Sequence, residues 1–114
     1  MASFAAEVKL PAFGSIAEVL ERGRPEVVHV LTPPSTHASW ALRAIRAGKH
    51  VVVEKPFAIR TSEADEVLRE AADADLLAVV YQNRRFDPDH LAVRRAVRSG
   101  ALGDVFHIET FVGV

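Results

Sequence analysis

Apolar and polar positions along the chain follow two rhythms, one suited to strands and one to helices. Val27-Val28-His29-Val30-Leu31, His50-Val51-Val52-Val53 and Leu76 to Tyr81 are short apolar runs. Such runs suit strands buried on both faces of a parallel sheet. Between them, apolar residues recur at helical spacing. Ser15 precedes Ile16, Ala17, Val19 and Leu20, with Glu18 three residues on, a capping-box pattern that predicts a helix ending near Gly23. Ser35 or Thr36 is placed to cap a second helix, with Trp40, Ala41, Ala44 and Ile45 on one side and Gly48 as its stop. Thr61 or Ser62 is placed to cap a third, through about Ala72, with Ala64, Val67, Leu68 and Ala71 as its stripe. Asp87-Pro88 opens a fourth, to about Ser99, with Gly100 past its end. Val105 to Val112, with Phe106, Ile108, Thr110 and Val112 on one face and His107, Glu109 and Phe111 on the other, predicts a last, half-exposed strand.

Helix and strand thus alternate with short linkers. That order predicts βαβ units and a largely parallel sheet with helices packed on it. The chain has 114 residues, room for one domain in practice. Neither repeats nor low-complexity segments interrupt it. Its 49% hydrophobic and 25% charged residues are ordinary for a globular protein, and the formal net charge of −1 offers no nucleic-acid footprint. No apolar run approaches the ~18 residues of a membrane span. The opening MASFAAEVKLPAF lacks a basic start followed by a long apolar core, which argues against a secretory signal. There is no Cys, so disulfides and thiol catalysis are excluded, and cytoplasm is the expected compartment.

The chemistry concentrates at Val51-Val52-Val53-Glu54-Lys55-Pro56. Pro56 cannot donate to a sheet ladder, so the strand stops there. Glu54 and Lys55 are therefore expected at the carboxyl end of a core strand, the edge where open α/β sheets bind ligands. An acid beside an amine at that edge suits proton transfer or a polar substrate contact, and burial of the lysine would favour acid–base work. In isolation a solvated charge pair at a strand end is the simpler reading. The five histidines, His29, His37, His50, His90 and His107, share no paired spacing on one helix face, so no metal site is expected. His37 reads more as a helix-start contact to backbone than as a base. Arg94, Arg95 and Arg98 read as the wet face of the fourth helix, Arg84 and Arg85 as a solvated pair before it, and Trp40 as core.

Four segments in order resemble a known family. They are Val30-Leu31-Thr32-Pro33-Pro34-Ser35-Thr36-His37, Ala47-Gly48-Lys49-His50-Val51-Val52-Val53-Glu54-Lys55-Pro56, Tyr81-Gln82-Asn83-Arg84-Arg85-Phe86-Asp87-Pro88 and Ser99-Gly100-Ala101-Leu102-Gly103-Asp104. The family is that of glucose–fructose oxidoreductase and inositol dehydrogenase (Gfo/Idh/MocA), and the resemblance covers the chain from Phe13 onward. It implies a Rossmann domain that binds NAD or NADP, a second α/β domain that completes the substrate site, and a sugar, cyclitol or related polyol as substrate. By position, Lys55 would touch the nicotinamide ribose and the substrate hydroxyl, with Glu54 orienting it. Thr32 and Pro33 would line the cofactor groove, with His37 at the following helix start and Pro56 beside Lys55. Arg84 or Arg85 would lie near the junction of cofactor and second domain.

The family's Gly-x-Gly-x-x-Gly turn, which holds the pyrophosphate at a helix N-terminus, does not occur in these residues. Nor do its first strand, its ribose-binding acid or its later helix-borne Asp and His. The chain therefore reads as an internal piece: residues 1–103 as the later part of a Rossmann domain, residues 104–114 as the first strand of the substrate domain. Alone it is expected to bind no cofactor, to be inactive, and to self-associate through an exposed sheet edge. The competing expectation is a non-catalytic remnant or interaction subunit.

Overall fold

The computed structural model describes Glu7 and residues 9–111. The chain divides into two compact units, Met1–Tyr81 and Gln82–Val114. In the first, α1 begins at Ile16–Glu18 and widens into a π turn over Val19–Gly23. Ser15 caps it by accepting from the Glu18 N–H at 3.3 Å, while the Glu18 carboxylate accepts from Gly14 N–H at 2.8 Å. Strand β1 is Val27–Val30, and a 3₁₀ turn at Pro34–Thr36 leads into helix α2, His37–Arg46. Strand β2 is His50–Val53, helix α3 Thr61–Asp73 and strand β3 Ala78–Val80.

The three strands form one parallel sheet in the order β1-β2-β3, with Val28 opposite Val51 and Val51 opposite Ala78. The parallel α/β expectation is met. Parallel neighbours need crossovers, and α2 and α3 supply them. Gly48 closes α2 at φ +74°, a left-handed conformation that a side chain would strain. Among the described residues the core lies on one face of the sheet. Val30, Val51 and Val53 pack with Ala41, Leu42, Ala44 and Ile45 of α2 and with Val67 and Ala71 of α3. Arg46 of α2 grips Glu70 of α3 in a two-pronged pair, Nε to Oε2 at 2.8 Å and Nη2 to Oε1 at 2.6 Å. That pair holds the Glu70 carboxyl below its usual range and raises Arg46, chiefly through the hydrogen bond between them.

Alternation puts Val27, Leu77, Val79 and Tyr81 on the other face, where all are exposed. The valine runs predict strands covered on both sides. Among the described residues of the first unit only one side is covered, so these strands are half-buried.

In the second unit a 3₁₀ turn, Asn83–Phe86, precedes helix α4, Pro88–Arg98. Asp87 stands at its N-cap without a side-chain cap bond, because its carboxylate is held by Arg84 at 3.3 Å.

Several sequence expectations need correction. Residues 105–111 form no strand, and the rest of the expected run lies outside the described residues. An alternating segment becomes a strand only when another strand takes its N–H and C=O groups, and among the described residues none does. Thr36 does not cap α2 with its side chain. Its hydroxyl turns back to Thr32 Oγ1 at 2.8 Å and Pro33 O at 2.7 Å. The N-cap of α3 is Arg60, one residue before Thr61, and Glu63 supplies the reciprocal bond to the Arg60 N–H at 3.1 Å. Leu68 is 49% exposed and lies off the stripe. Trp40 packs against the edge of the core, half-buried under the Arg43 guanidinium, rather than inside it.

Candidate functional site

The carboxyl ends of β1 and β2 stand side by side, because the ladder between them continues one step past the strands. Glu54 N–H donates to Val30 O at 3.0 Å, and Tyr81 N–H donates to Val53 O at 2.8 Å from the other side. Glu54 and Lys55 therefore leave the sheet from its central strand, with Thr32 and Pro33 leaving beside them from β1. In parallel α/β sheets that edge is the ligand-binding side.

Glu54 is half-buried, and its Oε2 accepts from the Lys55 backbone N–H at 2.9 Å. The carboxylate thus braces the turn that carries the lysine. Lys55 is exposed. The chain has left the sheet there, and the Lys55–Pro56 bond is cis. Among the described residues no ion pair engages its ammonium. It stands free to meet a ligand.

Thr32 and Pro33 are exposed at the mouth of the β1 edge, with the Thr32 hydroxyl tied to Thr36. His37 is the residue placed most differently from its neighbours. It is 1% exposed, the one buried polar side chain among the described residues. Its Nδ1 lies 2.7 Å from Pro56 O and its Nε2 2.7 Å from Thr32 O. It contacts backbone, but across 19 residues of sequence rather than within its own helix. Helical spacing places His37 at a helix start and is silent on what lies across the sheet edge.

Arg84 belongs to the second unit, where its guanidinium is exposed and pairs with Asp87. Arg85, in the same turn, is exposed as well. Thus Thr32, Pro33, His37, Glu54, Lys55 and Pro56 share one edge of the first unit. Among the described residues no cluster of three or more His, Asp or Glu could hold a metal ion, and no helix is long and apolar enough to cross a membrane.

An apolar cavity of about 540 Å³ opens beside β1, with Phe13, Ile16, Val28, Val30, Leu31 and Trp40 in its wall. No sequence signal marks it, because its walls come from segments whose apolar residues read simply as core.

Comparison with known proteins decides the family. The sequence pattern of the oxidoreductase family with an NAD-binding Rossmann fold (GFO_IDH_MocA) matches residues 1–82. The chain belongs to the Gfo/Idh/MocA oxidoreductase family. An uncharacterized oxidoreductase of Schizosaccharomyces pombe is 40% identical over 98 residues, 86% of this chain and 27% of that protein. The scyllo-inositol 2-dehydrogenase (NADP(+)) of Bacillus subtilis is 39% identical over 80 residues, 70% of this chain and 22% of that enzyme. The crystal structure of an oxidoreductase from Bacillus cereus superposes with a TM-score of 0.86 at 37% identity, covering 91% of this chain and 31% of that one. The chain thus spans about a quarter of the length of these curated relatives.

Proposed function

We propose that this chain is the nicotinamide-facing part of an NAD- or NADP-dependent oxidoreductase acting on a sugar, cyclitol or related polyol. The observation that carries this reading is the Glu54–Lys55 pair at the carboxyl end of the central strand, in a chain of this family. The Bacillus subtilis relative, named for scyllo-inositol and NADP(+), supports the substrate class. When bound, the nicotinamide supplies hydride transfer. The protein's part is to position the substrate and manage its hydroxyl proton. Lys55, exposed and unpaired among the described residues, is placed to hold or deliver that proton at Nζ. Glu54 fixes the turn by accepting from the lysine's N–H. Thr32, Pro33 and Pro56 form the rim against which a nicotinamide ribose would lie. His37 sits behind that rim, and Arg84 would contact the cofactor. In this reading residues 1–103 are Rossmann-type and residues 104–114 begin a substrate domain, in a cytoplasmic protein.

The residues present fit only one end of the dinucleotide. A pyrophosphate needs backbone N–H groups of a glycine turn at a helix N-terminus. The 114 residues contain no Gly-x-Gly-x-x-Gly. The chain alone should then hold NAD or NADP at best near millimolar, about −4 kcal/mol. Calorimetric titration checks this, and a dissociation constant below about 50 μM, roughly −6 kcal/mol, would refute it. The catalytic reading is tested by grafting this chain's matching segment into the Bacillus subtilis enzyme. Retained NADP-dependent turnover of scyllo-inositol supports it, and a folded, cofactor-binding but inactive graft opposes it.

A second reading has its own observation. Val27, Leu77 and Val79 leave one sheet face apolar and exposed, and among the described residues β1 and β3 are open edges. Such surfaces favour pairing with another chain. Self-association through this sheet, with or without catalysis, is the corresponding proposal.

A further inference from the structure

We propose that Thr36 is a positioning residue: it takes the hydroxyl hydrogen of Thr32 and so leaves the Thr32 side chain at the strand edge as a group that can only accept. Its part toward a ligand rests on the strand-edge reading above; the order of the hydroxyls rests on geometry alone.

The Thr36 hydroxyl oxygen has two neighbours at hydrogen-bond distance, Pro33 O at 2.7 Å and Thr32 Oγ1 at 2.8 Å. A threonine hydroxyl carries one hydrogen and two lone pairs, and a carbonyl oxygen only accepts. The contact with Pro33 therefore uses the Thr36 hydrogen, because Pro33 O has none to give. The same carbonyl also accepts from the Thr36 N–H at 2.9 Å. The contact with Thr32 then needs the other hydroxyl hydrogen, that of Thr32. The hydroxyls run in one direction, from Thr32 to Thr36 to Pro33 O.

The consequence falls on Thr32, the exposed member of the pair, just past the carboxyl end of β1. Of its two oxygens, the carbonyl already lies 2.7 Å from His37 Nε2. The hydroxyl oxygen keeps lone pairs for a ligand but has no hydrogen left to offer. The Lys55 ammonium, past the end of the neighbouring strand, has the opposite character, three donors and no acceptor. The edge thus supplies one acceptor and one donor. A ligand hydroxyl suits such an edge, because it can donate to Thr32. An ether, carbonyl or phosphate oxygen at Thr32 would set lone pair against lone pair. In the cofactor reading, the group so selected is a hydroxyl of the nicotinamide ribose. Thr36→Val would free Thr32 to turn its hydrogen outward and erase the selection, whereas Thr36→Ser keeps the relay.

Neutron diffraction from deuterium-exchanged crystals of the 114-residue chain tests the order without cofactor. The Thr36 deuterium should lie toward Pro33 O, and the Thr32 deuterium toward Thr36 Oγ1. A Thr36 deuterium directed at Thr32 or shared between its two neighbours, or a Thr32 deuterium turned outward, overturns the proposal. Fluorescence titration of the Bacillus subtilis graft with NADPH and its 2′- and 3′-deoxy nicotinamide-ribose analogues gives the second arm. Loss of the contacted hydroxyl should weaken binding about tenfold in the unaltered graft and in Thr36→Ser. In Thr36→Val and Thr32→Val it should weaken binding less than about threefold. A purely structural Thr36 would lower affinity for NADPH and analogue alike and keep the tenfold preference in Thr36→Val, which refutes the proposal. Absence of any preference in the unaltered graft refutes it too. If Thr36→Val fails to fold, Thr32→Val and the neutron result still decide. A folded graft that binds no NADPH overturns the cofactor reading instead, and the neutron result then decides the order of the hydroxyls by itself.

Discussion

Replacing Val51 by Ala should destabilise the protein far more than replacing Val79 by Ala, although both are valines in adjacent strands. Val51 is 0% exposed in the central strand, beneath α2 and α3. Its truncation removes two carbons at about 0.8 kcal/mol each, or about 1.6 kcal/mol. The void left in a closed core adds up to about 1 kcal/mol. The sum is about 2–2.5 kcal/mol. Val79 is 48% exposed on the open face, so the same deletion forfeits about half the transfer energy, near 0.8 kcal/mol, and leaves no cavity. The loss of β-branching is common to both, so the difference between them isolates burial. At about 4–8 °C per kcal/mol for a unit of this size, the melting temperature should fall about 8–20 °C for Val51→Ala and about 3–6 °C for Val79→Ala. Urea unfolding followed by Trp40, the only tryptophan, measures both on one probe that packs at the core edge. Equal losses at concentrations where the chain is monomeric would refute the reasoning, since they would mean that the second sheet face is covered within the chain itself.

In an active protein carrying this segment, Lys55→Ala should lower kcat by about 10²–10⁴-fold, as expected of a general acid–base group, with little change in cofactor affinity; near-normal kcat in steady-state assays would rule out that role. Arg46 holds Glu70 below its ordinary range, so the folded-state carboxyl is the stronger acid. The stability it contributes is present above the ordinary carboxylate range and is lost as pH falls through the folded-state value. Urea midpoints below about pH 4.5 should therefore drop less in Glu70→Gln than in the unaltered chain. Light scattering should show mass rising with concentration, and Val79→Lys should suppress that rise; a sharp monomer peak with cooperative unfolding would contradict association through the sheet.

The alternation of valine runs with helical stripes determined most of the first unit. β-branched residues and stop signals act locally, so β1, β2, α2 and α3 were legible within a residue or two. Glu54 and Lys55 were legible for the same reason: Pro56 ends the strand, and a parallel sheet presents its carboxyl ends on one edge. What depends on a partner was not legible. The alternating run from Val105 needs a neighbouring strand, and none forms among the described residues. The valine pattern could not show that one sheet face stays open, because the same residues suit a sheet covered once or twice. Nor could it expose Lys55, whose surroundings are set by how the chain turns beyond the sheet. The link from His37 to Pro56 spans 19 residues. Helix periodicity assigns a residue to a face, but only the packing of α2 against the sheet edge brings that ring between two carbonyls, because hydrogen bonds form between atoms that the fold has already brought together.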